Sequence, residues 1–315
     1  MTIASAASAG PFCLGCMHFG TRVPEDAAFA ILDHFRDRGG RLLDTANNYA
    51  PPQRGESERL LGLWLASRRC RDEMLIATKV GANPTVPGGG FETAEGLSPA
   101  AIEHAIDASL TRLATDHIDL YYAHIDDRSV ELHETLTAFT ALIGAGKVSE
   151  IAASNHHAWR LALALDISRR HTLASYTAIQ QRYSYLQPLP SADLGVQVAV
   201  NDELLDLCNV TDTTLLAYSP LLSGAYTRDD IPLDRHYHTA DNIARLDTLR
   251  RIATSAGATP NQVALAWLRQ SQAAHVIPVI SASSVDQLNE NMDTTNIRLS
   301  HEQLDTLTNA PLREP

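Results

Sequence analysis

Lysine is nearly missing from this chain. Of its 25 Lys and Arg residues only two, Lys79 and Lys147, are lysines. Arginine is the default surface cation, so a lysine needs its own explanation. Positive charge is scarce altogether: 37 Asp and Glu leave a net charge of −12 and a pI near 5.5. That argues against a nucleic-acid surface, which needs a basic patch. No apolar run approaches the roughly 18 residues of a membrane-spanning helix. Residues 1–9 lack a basic start and a long apolar stretch, so they read as a disordered leader rather than a signal peptide. Cysteine is limited to Cys13, Cys16, Cys70 and Cys208. Cys13-x-x-Cys16 has no second pair at zinc spacing, and residues three apart on a strand face opposite ways. The expectation is four reduced thiols in a cytoplasmic protein. Also missing is a Gly-x-Gly-x-x-Gly after the first apolar run, the usual mark of an open doubly wound dinucleotide-binding sheet.

What is present is a repeating alternation. The 315 residues are 44% hydrophobic, enough for a large core. Short apolar runs at 13–18, 41–44, 74–79, 118–123, 148–153, 177–181, 214–218 and 275–279 predict strands. Helical patterns lie between them, at 25–38, 56–67, 99–113, 130–145, 157–170, 202–208, 241–256 with 260–271, and 285–293. Pro24 and Pro99 suit helix first turns. Gly39-Gly40 and Gly144 with Gly146 suit helix ends. Strands separated by helices imply parallel βαβ units, and eight such units predict a single (β/α)₈ barrel over residues 13–315, after a short leader at 1–12. Three long connections, 80–98, 184–201 and 219–240, follow strands and so stand on the C-terminal face, where barrel active sites form.

Four polar groups fall at or just after successive strand ends. Asp44 ends Arg41-Leu42-Leu43-Asp44, and Tyr49 lies just beyond. Lys79 ends Met74-Leu75-Ile76-Ala77-Thr78-Lys79, and His124 closes Ile118-Asp119-Leu120-Tyr121-Tyr122-Ala123-His124. Alone, each has a structural explanation: a turn cap, a loop aromatic, a rim cation, a rim histidine. Together they suit proton transfer. A phenol is a poor acid at neutral pH, and a neighbouring ammonium is expected to lower its pKa. Asp44 would hold Lys79 charged, and His124 would donate to a substrate oxygen. The set suits protonating an oxygen while its carbon receives a hydride. No serine–histidine pairing and no metal set is evident. A metal-dependent or glycoside-cleaving barrel would need carboxylate pairs, and only Asp44 and Asp119 lie near strand ends.

Several segments together resemble the aldo-keto reductase superfamily. They are Leu43-Asp44-Thr45-Ala46-Asn47-Asn48-Tyr49 with Gly55-Glu56-Ser57-Glu58, Ile76-Ala77-Thr78-Lys79-Val80 and Leu120-Tyr121-Tyr122-Ala123-His124-Ile125-Asp126. Ala153-Ser154-Asn155, Gln180 with Tyr183-Ser184-Tyr185-Leu186, Ala217-Tyr218-Ser219-Pro220-Leu221, Ile277-Pro278 and Gln287-Leu288 with Glu290-Asn291 continue the match through about residues 13–310. The likeness leans toward bacterial members handling sugars or xenobiotics. It implies NADP(H) lying across the C-terminal face, with NAD(H) as the other choice. Tyr49 would be the general acid, Asp44 and Lys79 its tuners, and His124 the carbonyl-orienting residue. Ser154, Asn155 and Gln180 would hold the nicotinamide carboxamide and Tyr218 would stack on its ring. Ser219, Leu221, Ser223 and Gly224 would wrap the pyrophosphate. Ser281, Ser283, Gln287, Glu290 and Asn291 would meet the adenosine end. No metal is implied. The partner would be a small carbonyl or sugar substrate, with no nucleic acid or membrane, and oligomerisation is left open. The other function the resemblance allows is a cofactor-binding regulatory subunit with negligible turnover.

Departures from the family pattern sharpen these expectations. Ser281 or Ser283 stands where many relatives place a Lys or Arg for the 2′-phosphate of NADPH. Ala225 stands where many have Lys, leaving Arg228 as the nearby cation. The N-terminal hairpin usual in the family is expected to be missing or short. Asn83, Phe91, Tyr185, Tyr226 and Tyr237 are the expected pocket residues. Trp64, Trp159 and Trp267 read as core, His156-His157 as helix-start packing, and Arg235-His236-Tyr237-His238 as a loop rather than a metal site.

Overall fold

The computed structural model describes residues 9–51, 53–228, 230–271 and 274–310. Eight parallel strands close into a barrel in sequence order: β1 (Cys13–Gly15), β2 (Leu42–Asp44), β3 (Leu75–Val80), β4 (Ile118–Ala123), β5 (Val148–Ser154), β6 (Tyr176–Arg182), β7 (Thr214–Tyr218) and β8 (Val276–Ile280). The helices are α1 (Glu25–Asp37), α2 (Glu56–Arg68), α3 (Pro99–Leu113), α4 (Leu132–Gly144), α5 (Ala158–His171), α6 (Asp202–Thr211), α7 (Ala240–Ala256), α8 (Pro260–Gln270), α9 (Val285–Asp293) and α10 (His301–Asn309). The expected (β/α)₈ barrel is the fold. β1 stops earlier than expected: the Cys16 N–H still donates to the Asp44 carbonyl at 2.8 Å, but the chain then turns, with the Phe19 N–H on the Cys16 carbonyl at 3.0 Å.

Local chemistry explains the elements. In α1, Ala28, Ile31, Leu32 and Phe35 are buried, a 3-and-4 spacing that gives one apolar face. Pro24 is the residue before α1 rather than its first, whereas Pro99 and Pro260 do occupy first turns. Thr259 and Gln262 form a reciprocal cap at the start of α8. Ser300 and Gln303 do the same for α10, a helix that the apolar pattern did not reveal. Gly62 lets α2 lie against the end of α3: a Cβ there would sit 2.4 Å from the Arg112 carbonyl oxygen.

Strand alternation places the polar groups. Successive strand residues point to opposite faces. Leu42, Ala77, Tyr122, Ala152, Ala178 and Leu216 belong to the cluster filling the barrel interior. Leu43, Ile76, Tyr121, Ala153, Ile179 and Ala217 belong to the outer core under the helices. Two residues beyond each interior residue come Asp44, Lys79, His124, Ser154, Gln180 and Tyr218. All six therefore take the inward parity at the C-terminal rim. Thr78 has the outward parity and donates to Glu58 of α2 at 2.6 Å. Ala9 is buried in the interior cluster and Phe12 in the outer core, so the end of the expected leader packs against the barrel. Residues 1–8 of that leader lie outside the described residues.

Candidate active site

Lys79 is the hub of the rim. Its side chain is wholly buried, and its Nζ donates to Asp44 Oδ2 at 2.6 Å, to the Thr45 carbonyl at 2.7 Å and to Tyr49 Oη at 3.1 Å. The ammonium also lies 4.6 Å from the Tyr49 ring centre and 5.5 Å from that of Tyr122. Three acceptors match its three donors, so the geometry is that of a charged lysine. Burial works against that charge, but the Asp44 carboxylate and Tyr49 oxygen leave the Lys79 pKa above its usual value. The His124 ring meets the Tyr49 ring edge-on at 5.8 Å between centres. The four predicted catalytic residues thus form one cluster.

One electrostatic expectation is corrected. The Tyr49 phenol does not fall below its ordinary pKa. Burial pushes it up and Asp44 adds to the push, outweighing Lys79. Residue spacing shows the ammonium nearby but not how much water the phenol loses. His124 is shifted well below the ordinary imidazole value, by burial and then by Lys79, so it is neutral at physiological pH. Its Nδ1 is buried without a hydrogen-bond partner. A proton there would be an unpaired buried donor, which favours the tautomer with its proton on Nε2.

A second cluster adjoins the first. Ser154 Oγ donates to the Gln180 carbonyl at 2.9 Å. Asn155, in a left-handed conformation (φ 59°), donates from Nδ2 to the His124 carbonyl at 2.9 Å. Its Oδ1 accepts from the Tyr218 hydroxyl at 2.8 Å. Gln180 Nε2 donates across the barrel to Asp44 Oδ1 at 2.8 Å. The predicted carboxamide holders are therefore joined to one another and to the catalytic residues.

Beyond β7 the backbone changes character. Ser219 (φ 53°), Leu222 (φ 47°), Ser223 (φ 61°) and Gly224 (φ 94°) all take positive φ. Non-glycine residues adopt that region at a cost, and turns of mixed handedness line up N–H groups into concave anion sites. Ser219, Leu221, Ser223 and Gly224 thus share one turn, within which the Leu222 and Gly224 N–H groups donate to the Ser219 and Leu221 carbonyls at 3.2 and 2.8 Å. Farther out, Gln287 Oε1 accepts from the Ser283 N–H and hydroxyl, both at 2.9 Å. Asn291 Nδ2 donates to the Ser281 carbonyl at 3.3 Å. Glu290 Oε1 accepts from Thr259 Oγ1 at 2.7 Å, beside Asn261, whose buried Oδ1 has no partner. No Lys or Arg occurs between residues 281 and 293. Arg228 is paired with Asp230 at 2.5 Å.

Other expectations are overturned. Tyr185, Tyr226 and Tyr237 are buried inside the long loops rather than lining an open pocket. Their hydroxyls meet the Leu307 carbonyl, the Leu186 N–H and Arg182 Nε. Phe91 is exposed and Asn83 half-buried. Trp159 is not core: it is 55% exposed and lies under Arg128, 5.3 Å away. Asp119 sits near the start of β4, away from the rim, and takes Arg71 at 2.8 Å. His156 is, as expected, buried packing at the start of α5, its Nδ1 2.8 Å from the Ser154 carbonyl, whereas His157 is exposed. Sequence reasoning missed what braces the 80–98 loop. Asn47 donates to Glu95 at 2.7 Å, Asn48 to the Ala82 carbonyl at 3.2 Å, and Arg54 to the Gly89 carbonyl at 3.1 Å. The two asparagines just before Tyr49 were the available signal.

Comparison with known proteins gives the family. The model of the aldo/keto reductase family matches residues 11–310. Norsolorinic acid reductase B of Aspergillus parasiticus is 31% identical, covering 98% of this chain and 82% of its own. An uncharacterized oxidoreductase of Bacillus subtilis is 30% identical over 93% of this chain and 89% of its own. An aryl-alcohol dehydrogenase of Pestalotiopsis microspora is 28% identical over 93% and 77%. With a barrel built around Asp44, Tyr49, Lys79 and His124 and a family match across nearly its whole length, the chain belongs to the aldo/keto reductase family and is an oxidoreductase acting on carbonyl substrates.

Proposed function

We propose that this protein moves a hydride between NADP(H) and an aldehyde, ketone or sugar carbonyl, with Tyr49 as the general acid. The observation carrying the proposal is the three-way contact of Lys79 Nζ with Asp44, Thr45 and Tyr49 inside the barrel rim. A bound reduced nicotinamide would supply the hydride. Tyr49 gives its proton to the carbonyl oxygen as the carbon is reduced. Its raised pKa keeps the phenol protonated at neutral pH, which is the form an acid needs. Lys79 stabilises the phenolate left behind, and Asp44 holds Lys79 in place. His124, neutral, donates from Nε2 to the same carbonyl oxygen.

Ser154, Asn155 and Gln180 are assigned to the nicotinamide end and Tyr218 to its ring. The strained turn at Ser219, Leu221, Ser223 and Gly224 is assigned to the pyrophosphate. Ser281, Ser283, Gln287, Glu290 and Asn291 are assigned to the adenosine end. With no cation among residues 281–293, NAD(H) is accepted as well as NADP(H). The relative named as an aryl-alcohol dehydrogenase supports a carbonyl attached to an aromatic ring. The test is cofactor oxidation with a panel of aryl aldehydes, aryl ketones and sugars. Turnover with at least one class is expected. Tight cofactor binding without turnover on any carbonyl would overturn the enzymatic reading and leave the regulatory-subunit role.

A further inference from the structure

Asp44 has two carboxylate oxygens, and both are taken. Oδ2 accepts from Lys79 Nζ at 2.6 Å and Oδ1 from Gln180 Nε2 at 2.8 Å. Gln180 comes from β6, across the barrel interior, 136 residues away in sequence. Asp44 is 2% exposed and Gln180 3%, so no water competes for this bond. The Gln180 main chain reaches the other way: its carbonyl accepts from Ser154 Oγ at 2.9 Å and from the Asn155 N–H at 3.3 Å. Asn155 in turn holds the His124 carbonyl and the Tyr218 hydroxyl. A continuous path therefore runs from Tyr49 through Lys79, Asp44 and Gln180 to His124.

We propose that Gln180 is a positioning residue for the acid–base group: it fixes the orientation of Asp44, and through Asp44 the placement of Lys79 against Tyr49. This rests on the reading of Tyr49 as the acid. A carboxylate held at one oxygen can rotate about its last bond; held at both, it cannot without losing a buried charge-assisted hydrogen bond. Among the described residues only Lys79 and Gln180 donate to the Asp44 carboxylate. Lys79 of β3 is already bound, and Tyr49 reaches Lys79 rather than Asp44. Cys13 of β1 and Cys16 just after it have pKa values pushed well up, by burial and then by Asp44, so both are neutral thiols. Tyr122 of β4 is likewise held protonated, by burial and then by Asp44. The resemblance assigns Gln180 to the nicotinamide carboxamide. The bond to Asp44 gives it a separate role.

The test compares Gln180→Met and Gln180→Glu with the wild type, measuring cofactor dissociation constants by fluorescence and the pH profile of kcat at saturating cofactor. Methionine cannot donate to Asp44. Asp44 then turns about its last bond and places Lys79 poorly against Tyr49, so kcat falls at every pH. The rate at neutral pH falls about tenfold, the size expected for losing a hydrogen bond to a charge. Glutamate donates only as the neutral acid, so Gln180→Glu is rescued at low pH and loses rate as pH rises. A loss of kcat at every pH in Gln180→Met beside a low-pH rescue in Gln180→Glu, both read at saturating cofactor so that any lost carboxamide contact does not enter, is the expected result. Weakened cofactor binding with both pH profiles unmoved would overturn the proposal and leave Gln180 a cofactor contact alone. Gln180→Glu, close in shape to the native residue, decides the matter should Gln180→Met not fold. Tyr49→Phe is run alongside: turnover surviving there sinks the acid assignment itself, a result separable from unmoved Gln180 profiles.

Discussion

The two ends of the rim are built differently. At the ends of β2, β3 and β4, Asp44 and Lys79 are buried and committed to each other, and Tyr49 is fixed by the same ammonium. Past β8, Ser281, Ser283 and Gln287 stand exposed, Ser283 bonded to Gln287 and the Ser281 carbonyl to Asn291, in a segment without Lys or Arg from 281 to 293. The first region leaves little room for adjustment, because moving any member strands a buried charge. The second tolerates substitution, because water replaces whatever is lost. Reaction type belongs to the first region, and nucleotide preference to the second.

The sharpest way to break this contrast is Lys79→Met. Turnover should fall by roughly a thousandfold, within the range for losing an acid–base group. The unpaired Asp44 should also cost roughly 3–5 kcal/mol of stability. Adding Asp44→Asn should recover most of the stability and none of the rate, read by thermal melting and steady-state kinetics. A single variant that melts normally would mean that the pair is not interdependent. Asn155→Ala comes next. It removes the links to the His124 carbonyl and the Tyr218 hydroxyl, and should lower kcat/KM about tenfold. An unchanged value would separate His124 from that cluster.

At the nucleotide end, Ser283→Arg should strengthen NADPH binding about tenfold through a charge-assisted contact while leaving NADH nearly unchanged. Equal gains for both cofactors would place Ser283 away from the 2′-phosphate. The smallest effect is a flat pH profile. The Tyr49 pKa is raised, so its acid form persists through neutrality and is lost only in alkaline solution. The His124 pKa lies well below 6.5, so its neutral form persists as pH falls through that value. The carbonyl-reduction rate should therefore vary less than about twofold between roughly pH 6 and 8. A step near 6.5 would mean that His124 titrates as an ordinary imidazole.

The sequence made the barrel and its rim legible for one reason. A strand's period of two, read from Leu42 to Asp44, from Ala77 to Lys79 and from Tyr122 to His124, assigns each polar residue a face before any fold is known. Long loops carry no such period. Tyr185, Tyr226 and Tyr237 read as pocket aromatics, whereas the loops fold back and bury them. Trp159 sits at the first turn of α5, where helical periodicity says least about burial, and it faces solvent. The Tyr49 pKa depends on how much water the folded rim excludes, which no spacing encodes. The bond from Gln180 to Asp44 joins opposite walls of the barrel, and only closure of the sheet brings them together. α10 went unread although Ser300 and Gln303 mark its start.

The central claim is that Tyr49 delivers the proton. Its most direct test is single-turnover hydride transfer by Tyr49→Phe at saturating cofactor, beside a cofactor titration of the same variant. The expected result is a rate lower by roughly a hundredfold to ten-thousandfold, with the cofactor bound as tightly as in the wild type. Hydride transfer at the wild-type rate in that variant would contradict the account.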